Sequence, residues 1–188
     1  MNVMLRKLGL KQGERLVFLN KRIAGLWLMW IGMIIFFGTI FGGHYMINPV
    51  VFVIGYGVGF GFILRSKIIR DWLSFGASSS FQRNIASLSI IFMFVLMSVF
   101  SGRYFATMNF RMIWLGALLA TPIHFIPFSC VHGRSFLFLA IPLAALSIAG
   151  IADNSIPFWA IGTLDGSIKL GFGIGLYLSR KPTVAVDG

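Results

Sequence analysis

Apolar and polar positions fall into long blocks along this chain instead of alternating. Six blocks are almost free of charge: 23–42, 47–64, 85–101, 112–129, 136–151 and 156–178. A helix rises ~1.5 Å per residue, so a hydrocarbon core of ~30 Å asks for roughly 17–25 apolar residues per crossing. Five blocks reach that length, and the sixth, 136–151, falls a little short unless Ser135 and Ala152 extend it. The pattern predicts an all-α fold, an integral membrane bundle of six transmembrane helices. Its layout would be a basic, interfacial arm over 1–22, a single six-helix domain over 23–178 and a short tail over 179–188.

Composition removes the soluble alternative. With 57% hydrophobic and 11% charged residues in 188 and a mean hydropathy of +0.88, too little polar surface remains to clothe a globule in water. The charges then orient the chain. Arg6, Lys7, Lys11, Arg15, Lys21 and Arg22 in the arm, Arg65, Lys67, Arg70 and Arg83 around the central loop, Arg134, and Arg180 and Lys181 in the tail fall on one side of a six-crossing topology. Only Arg103 and Arg111 fall on the other. Cytoplasmic loops are enriched in Lys and Arg, so both termini are expected in the cytoplasm of a cell whose plasma membrane the chain crosses several times. The net charge of +11 is thereby mostly an orientation signal. No zinc-finger, helix-turn-helix or RNA-binding motif accompanies it, so nucleic acid is not expected as a partner. Anionic lipid headgroups are, since Met4, Leu5, Leu8, Leu16, Phe18 and Leu19 alternate with the cations of the arm. A merely solvated terminus satisfies the same orientation rule. The first apolar block begins after residue 22 with no small-x-small site behind it, so a cleaved signal peptide is not expected.

Chemistry-bearing residues inside the blocks are few. Asp165 and Lys169 lie four apart near the middle of the last block, on one helix face with the acid N-terminal, as a helical ion pair prefers. Two such charges cost ~5–7 kcal/mol at mid-membrane, and the ten Leu, Ile and Phe of 156–178 return about 3–6. That helix is marginal alone and should face its charges toward the bundle interior or a wet cavity. The pair reads equally as a mutually neutralising structural element or as a site for an ion, proton or solute. His124 stands between Pro122 and Pro127, which should kink its helix and free the carbonyls of Leu118 and Ile123. Should His124 face Asp165, the two would make a proton relay. The prolines also allow blocks four and five to form a re-entrant pair, but that would bury Arg134, and the full crossing is preferred. Gly55, Gly57, Gly59 and Gly61, with Gly171, Gly173 and Gly175, should let helices pack closely, the second helix from both sides. The segments GVGFGFILRSK and GFGIGLYLSRK also align, a likeness that packing and orientation alone can generate. Cys130 is the only cysteine, and with His132 it lacks a second pair of soft ligands, so no metal and no cofactor is expected. Catalysis is not expected either: Glu14 is the only glutamate, and Ser78, Ser79 and Ser80 lie far from His124 in sequence.

The segments NPVVFVIGYGVGF from Asn48 and RMIWLGALLATPIHFIPF from Arg111, followed by Val131-His132-Gly133, resemble a family of small bacterial membrane proteins of unknown function. The likeness spans Leu26 to Tyr177 and includes Asp165-Gly166-x-x-Lys169. It implies a bacterial source and one membrane domain, and it brings no activity with it. Two functions stay open: a transporter-like or permease-like protein with Asp165, Lys169 and His124 around an internal polar site, or a non-transporting partner that docks a second copy or another bundle through its glycine faces. A cavity on the charged pair would favour the first, and a dry contact the second.

Overall fold

The computed structural model describes residues 6–12, 15–179 and 181–184; Met4, Leu5, Glu14 and Arg180 lie outside them. Every apolar block is helical. A short strand, β1 (Val17–Phe18), precedes α1 (Lys21–Ile40). Then come α2 (Pro49–Gly59), a π-helical turn (Phe60–Leu64), α3 (Lys67–Leu73), α4 (Ser80–Ser101), α5 (Phe110–His132), α6 (Ser135–Ala152), α7 (Phe158–Tyr177) and β2 (Thr183–Val184). By length and composition four helices can cross a membrane, α1, α4, α5 and α6, and the bent α2–α3 unit makes a fifth if it counts as one span. Helix α7 has 20 residues but does not join them, because Asp165 and Lys169 offset its apolar content. The fifth block gains Ser135 and Ala152 and becomes an 18-residue helix.

Helix ends follow local chemistry. Asn48 caps α2 by accepting from the amides of Val50 at 3.0 Å and Val51 at 3.2 Å, with Pro49 in the first turn where no amide is needed. Ser79 and Gln82 form a reciprocal capping box at the start of α4. Gly133, at φ +96°, ends α5 in a conformation that a side chain would resist. Pro122 and Pro127 lie within α5, which runs on as one helix through both.

The second block departs from a single regular span. After the glycine-rich α2, a poor intrinsic helix former, the chain loosens into the π turn, breaks at Arg65–Ser66 and bends by 60° into α3. The expected central loop thus contains a helix. Ile68 and Trp72, one turn apart on α3, are 80% and 69% exposed, while Leu73 is buried.

The tightest packing joins α1 and α7, which run antiparallel. A Cβ on Gly32 would lie 2.7 Å from the Gly166 carbonyl and 2.9 Å from the Leu170 amide, and one on Gly25 would lie 2.7 Å from the Gly173 carbonyl. Backbone meets backbone, which only glycine permits. Helix α2 packs on α1 from one side alone: Gly55 meets Ile34, Gly59 meets Trp30, and the Trp30 indole donates to the Gly55 carbonyl at 2.8 Å. A side chain at Gly57 or Gly61 would meet nothing within 4 Å, and the same holds at Gly171 and Gly175, whereas Gly173 lies against Met29. The expectation that α2 is approached from both faces is corrected within this chain. Trp30 and Ile34 draw α1 to one face, and no described residue comes within 4 Å of the Cβ positions at Gly57 and Gly61.

The two ends of the bundle differ. Strands β1 and β2 pair antiparallel, Val17 opposite Val184 and Phe18 opposite Thr183, so arm and tail share an end. There Gln82 Nε2 donates to the Val17 carbonyl and Asn84 Nδ2 to that of Leu8, both at 3.1 Å, and Leu8, Leu10 and Leu16 pack on Phe81, Ile85 and Val131. The arm is docked on protein. At the opposite end Arg111 donates to the carbonyls of Gly150 at 2.9 Å, Ile156 at 3.0 Å and Asp153 at 3.2 Å, tying α5 to the α6–α7 connection.

The glycine contacts make a direct prediction. Gly32→Leu should cost about 3 kcal/mol or more by forcing α1 and α7 apart, read as lost folded yield and a lower unfolding temperature in detergent. Gly57→Leu should leave both unchanged.

Candidate functional site

The buried stripe of α7 runs Phe158, Ile161, Gly162, Asp165, Gly166, Lys169, Gly173 and Leu176, a three-and-four spacing that keeps all of them on the inner face. Asp165 and Lys169 are each 1% exposed. The Lys169 ammonium donates to Asp165 Oδ2, and the other carboxylate oxygen, Oδ1, is buried with no hydrogen bond among the described residues. The glycines around the pair bring α1 close enough to seal it: the Gly32 position is 3.3 Å from Lys169 Cβ, and the Gly166 position is 2.9 Å from the Phe36 amide. One turn earlier, Thr39 packs over Gly162 and donates to its own helix at the Ile35 carbonyl, 2.7 Å away.

His124 is 7% exposed. Its Nδ1 lies 2.6 Å from the Thr121 carbonyl in its own helix; a carbonyl only accepts, so Nδ1 carries the proton. The helix stays continuous through both prolines, and the imidazole is within hydrogen-bond distance of a carbonyl of its own helix, not of an adjoining one. His124 lies within electrostatic reach of Lys169, and Asp165 within that of Tyr56 on α2, so the four groups share one neighbourhood. No hydrogen bond joins His124 to Asp165, and the relay imagined from sequence is not formed.

Neither of two cavities, of about 740 and 660 Å³, is lined by Asp165, Lys169 or His124. The pair is buried away from both. Cys130 is a free, half-buried thiol, and the His132 ring stacks on Phe136 with centroids 5.2 Å apart. Among the described residues no group of three or more His, Cys, Asp or Glu gathers as metal ligands would. Outside the helices, Asp153 is held below its ordinary carboxylate range by hydrogen bonds from Ser155.

The sequence reading missed Gly25, Gly32, Gly162 and Gly166, which form the seam around the pair. Their spacing, seven apart on α1 and four apart on α7, was a usable signal, overshadowed by the denser glycine runs. Tyr56 carried no signal, since nothing in a sequence says which helix lies opposite Asp165.

A family model covers residues 11–186. The chain belongs to the family of unknown function DUF6609. This agrees with the resemblance carried by the segments from Asn48 and Arg111. Comparison with curated proteins and with solved structures gives no match. The matched range of this DUF6609 member contains Asp165, Lys169, His124, Tyr56 and the entire α1–α7 seam.

Breaking one partner of a buried ion pair leaves an uncompensated charge and typically costs ~3–5 kcal/mol, whereas removing both charges is close to neutral. Asp165→Asn in the DUF6609 chain should therefore lower folded yield and unfolding temperature, and adding Lys169→Met should restore most of the loss, a coupling that a double-mutant cycle measures.

Proposed function

We propose that this DUF6609 protein is a multi-pass protein of the plasma membrane. Six helices cross the bilayer with both ends in the cytoplasm, and the protein acts by association rather than by passing a solute. The observation that carries the association reading is the burial of the Asp165–Lys169 contact: the two charges pair with each other against α1, and neither of the two cavities is lined by them. Several features support six crossings. The arm and tail meet in the β1–β2 pair, as an even number of crossings requires. The cation-rich segments lie toward that end, in keeping with the positive-inside rule. Helix α7 inserts in this reading because α1 shields its charged face, which relaxes the hydropathy a lone helix would need. Large apolar side chains such as Phe62, 73% exposed, and Val99, 65% exposed, face outward where lipid would cover them. The open face of α2 at Gly57 and Gly61 is where a second copy or another bundle would approach, by small-residue packing.

A second reading rests on one specific observation, the unpartnered Asp165 Oδ1, with Tyr56 and His124 nearby. A buried acceptor with no donor calls for a reason, and an occluded proton or cation site would supply one. The broken α2 and the π turn fit that reading, since interrupted helices recur in transporters.

Two measurements separate these accounts. On a Cys130→Ser background, Asn2→Cys and Asp187→Cys should react with an impermeant thiol reagent only after cells are permeabilised, while Thr107→Cys reacts in intact cells; the reverse pattern would defeat the orientation. Proteoliposomes should show no proton or cation flux above protein-free vesicles. A flux that Asp165→Asn abolishes in folded protein would favour the second reading.

A further inference from the structure

The larger cavity lies between α6 and α7 at the end where arm and tail meet, and its chemistry is used by nothing described so far. Lys21, Ser135 and Ser179 line it at the level of the helix ends, and Phe138, Gly171 and Gly175 line it deeper in. Lys21 is 9% exposed, yet among the described residues its ammonium makes no ion pair and no hydrogen bond; the Phe18 ring lies 5.6 Å away, and His132 is within its electrostatic reach. Among the described residues no Asp or Glu lines the cavity. The Lys21 ammonium reaches the wall of this open groove with no described counter-anion beside it, and an anion placed there gains a charge-assisted contact.

Two further features define the anion. Ser135 opens the 18-residue helix α6, and its hydroxyl bonds to no described residue. The amides of Phe136, Leu137 and Phe138 already donate to the Gly133 and Arg134 carbonyls, so what the helix start offers an oxyanion such as phosphate is the positive end of its dipole and the Ser135 hydroxyl. Behind that point the cavity continues as an apolar strip: a Cβ at Gly171 or Gly175 would meet nothing within 4 Å, and from Leu176 to Ile168 the wall follows α7 for about 12 Å at ~1.5 Å per residue. A site charged at one end and apolar along its length suits an amphiphile better than a free ion.

We propose that this cavity binds one anionic phospholipid, its phosphate between Lys21 and the start of α6 and one acyl chain along the open glycine strip of α7. The site rests on the membrane reading above in one respect, that the Lys21 end lies at headgroup depth. Lys21 is then a binding residue, not only part of an orientation signal, and Gly171 and Gly175 are kept small for a lipid chain while Gly173, between them, is kept small for α1.

The test uses the full chain in neutral detergent, offered dioleoyl-phosphatidylglycerol, dioleoyl-phosphatidylcholine or inorganic phosphate, with retention counted by native mass spectrometry. One phosphatidylglycerol should be retained, and neither phosphatidylcholine nor phosphate. Lys21→Met should weaken retention about tenfold or more, as loss of a charge-assisted contact does, and Lys21→Arg should preserve it. Gly171→Leu should expel the lipid without changing the unfolding temperature of lipid-free protein. Equal retention of the two lipids, or retention unmoved by both Lys21→Met and Gly171→Leu, overturns the site. Phosphate binding that survives Gly171→Leu overturns the lipid assignment. If Lys21→Met does not fold, Gly171→Leu alone decides. Binding is read in detergent, so an inverted result in the thiol-labelling experiment would defeat the orientation while leaving lipid retention intact; the two failures are distinguishable.

Discussion

The Asp165–Lys169 pair sets the terms for the rest of the bundle. Two charges in an apolar helix need an enclosure, and the enclosure here is another helix drawn in until main chains touch. Gly32 and Gly166 make that approach possible at the level of the pair, with Gly25 and Gly173 below it and Thr39 over Gly162 above it. The antiparallel α1–α7 seam then brings residue 17 beside residue 184, which joins the two ends of the chain. Helix α2 is positioned from α1 in turn, through Trp30 and Ile34, and brings Tyr56 toward Asp165.

Glycine serves opposite purposes on the same helices. At Gly59 and Gly173 the missing side chain lets α1 approach; at Gly57, Gly61, Gly171 and Gly175 it leaves space that no described residue fills. The aligned segments GVGFGFILRSK and GFGIGLYLSRK share this arrangement, a packed glycine flanked by two open ones, because both helices lean on α1 with one face and turn the other outward. The likeness follows from that common environment. It also separates the faces that hold the fold from those available to a lipid or a partner.

At the opposite end, Arg111 meets an obligation of another kind. The last carbonyls of α6 and the turn beyond it lack partners of their own, and one guanidinium reaches three of them. Its charge is spent on backbone carbonyls. At the end shared by arm and tail the apolar residues of the arm pack on Phe81, Ile85 and Val131, so the segment that read as interfacial or solvated is part of the folded structure over its described residues.

Much of the helical framework was legible because it depends on local composition. The positions of the six apolar blocks, the extension of the fifth by Ser135 and Ala152, and the placing of Asp165 and Lys169 on one face follow from hydropathy and the 3.6-residue period alone. The bend after Leu64 and the short helix α3 were not legible, since a π turn and a 60° change of direction reflect how α2 fits against Trp27 and Trp30. His124 was read as a residue beside an opened backbone, yet α5 runs unbroken past both prolines and gives the imidazole a carbonyl one turn away.

Sequence by itself determined that this chain is helical, that it is too apolar to be clothed in water, and that one ion pair must be hidden; each of these is a property of residues and their neighbours along the chain. Tertiary structure alone decided which glycines touch a partner helix, that the pair is buried away from both cavities, that Tyr56 and His124 stand near it, and that Lys21 has no anionic partner among the described residues. Those outcomes depend on which helix lies opposite which, and the period of a helix says what shares a face without saying what that face will meet.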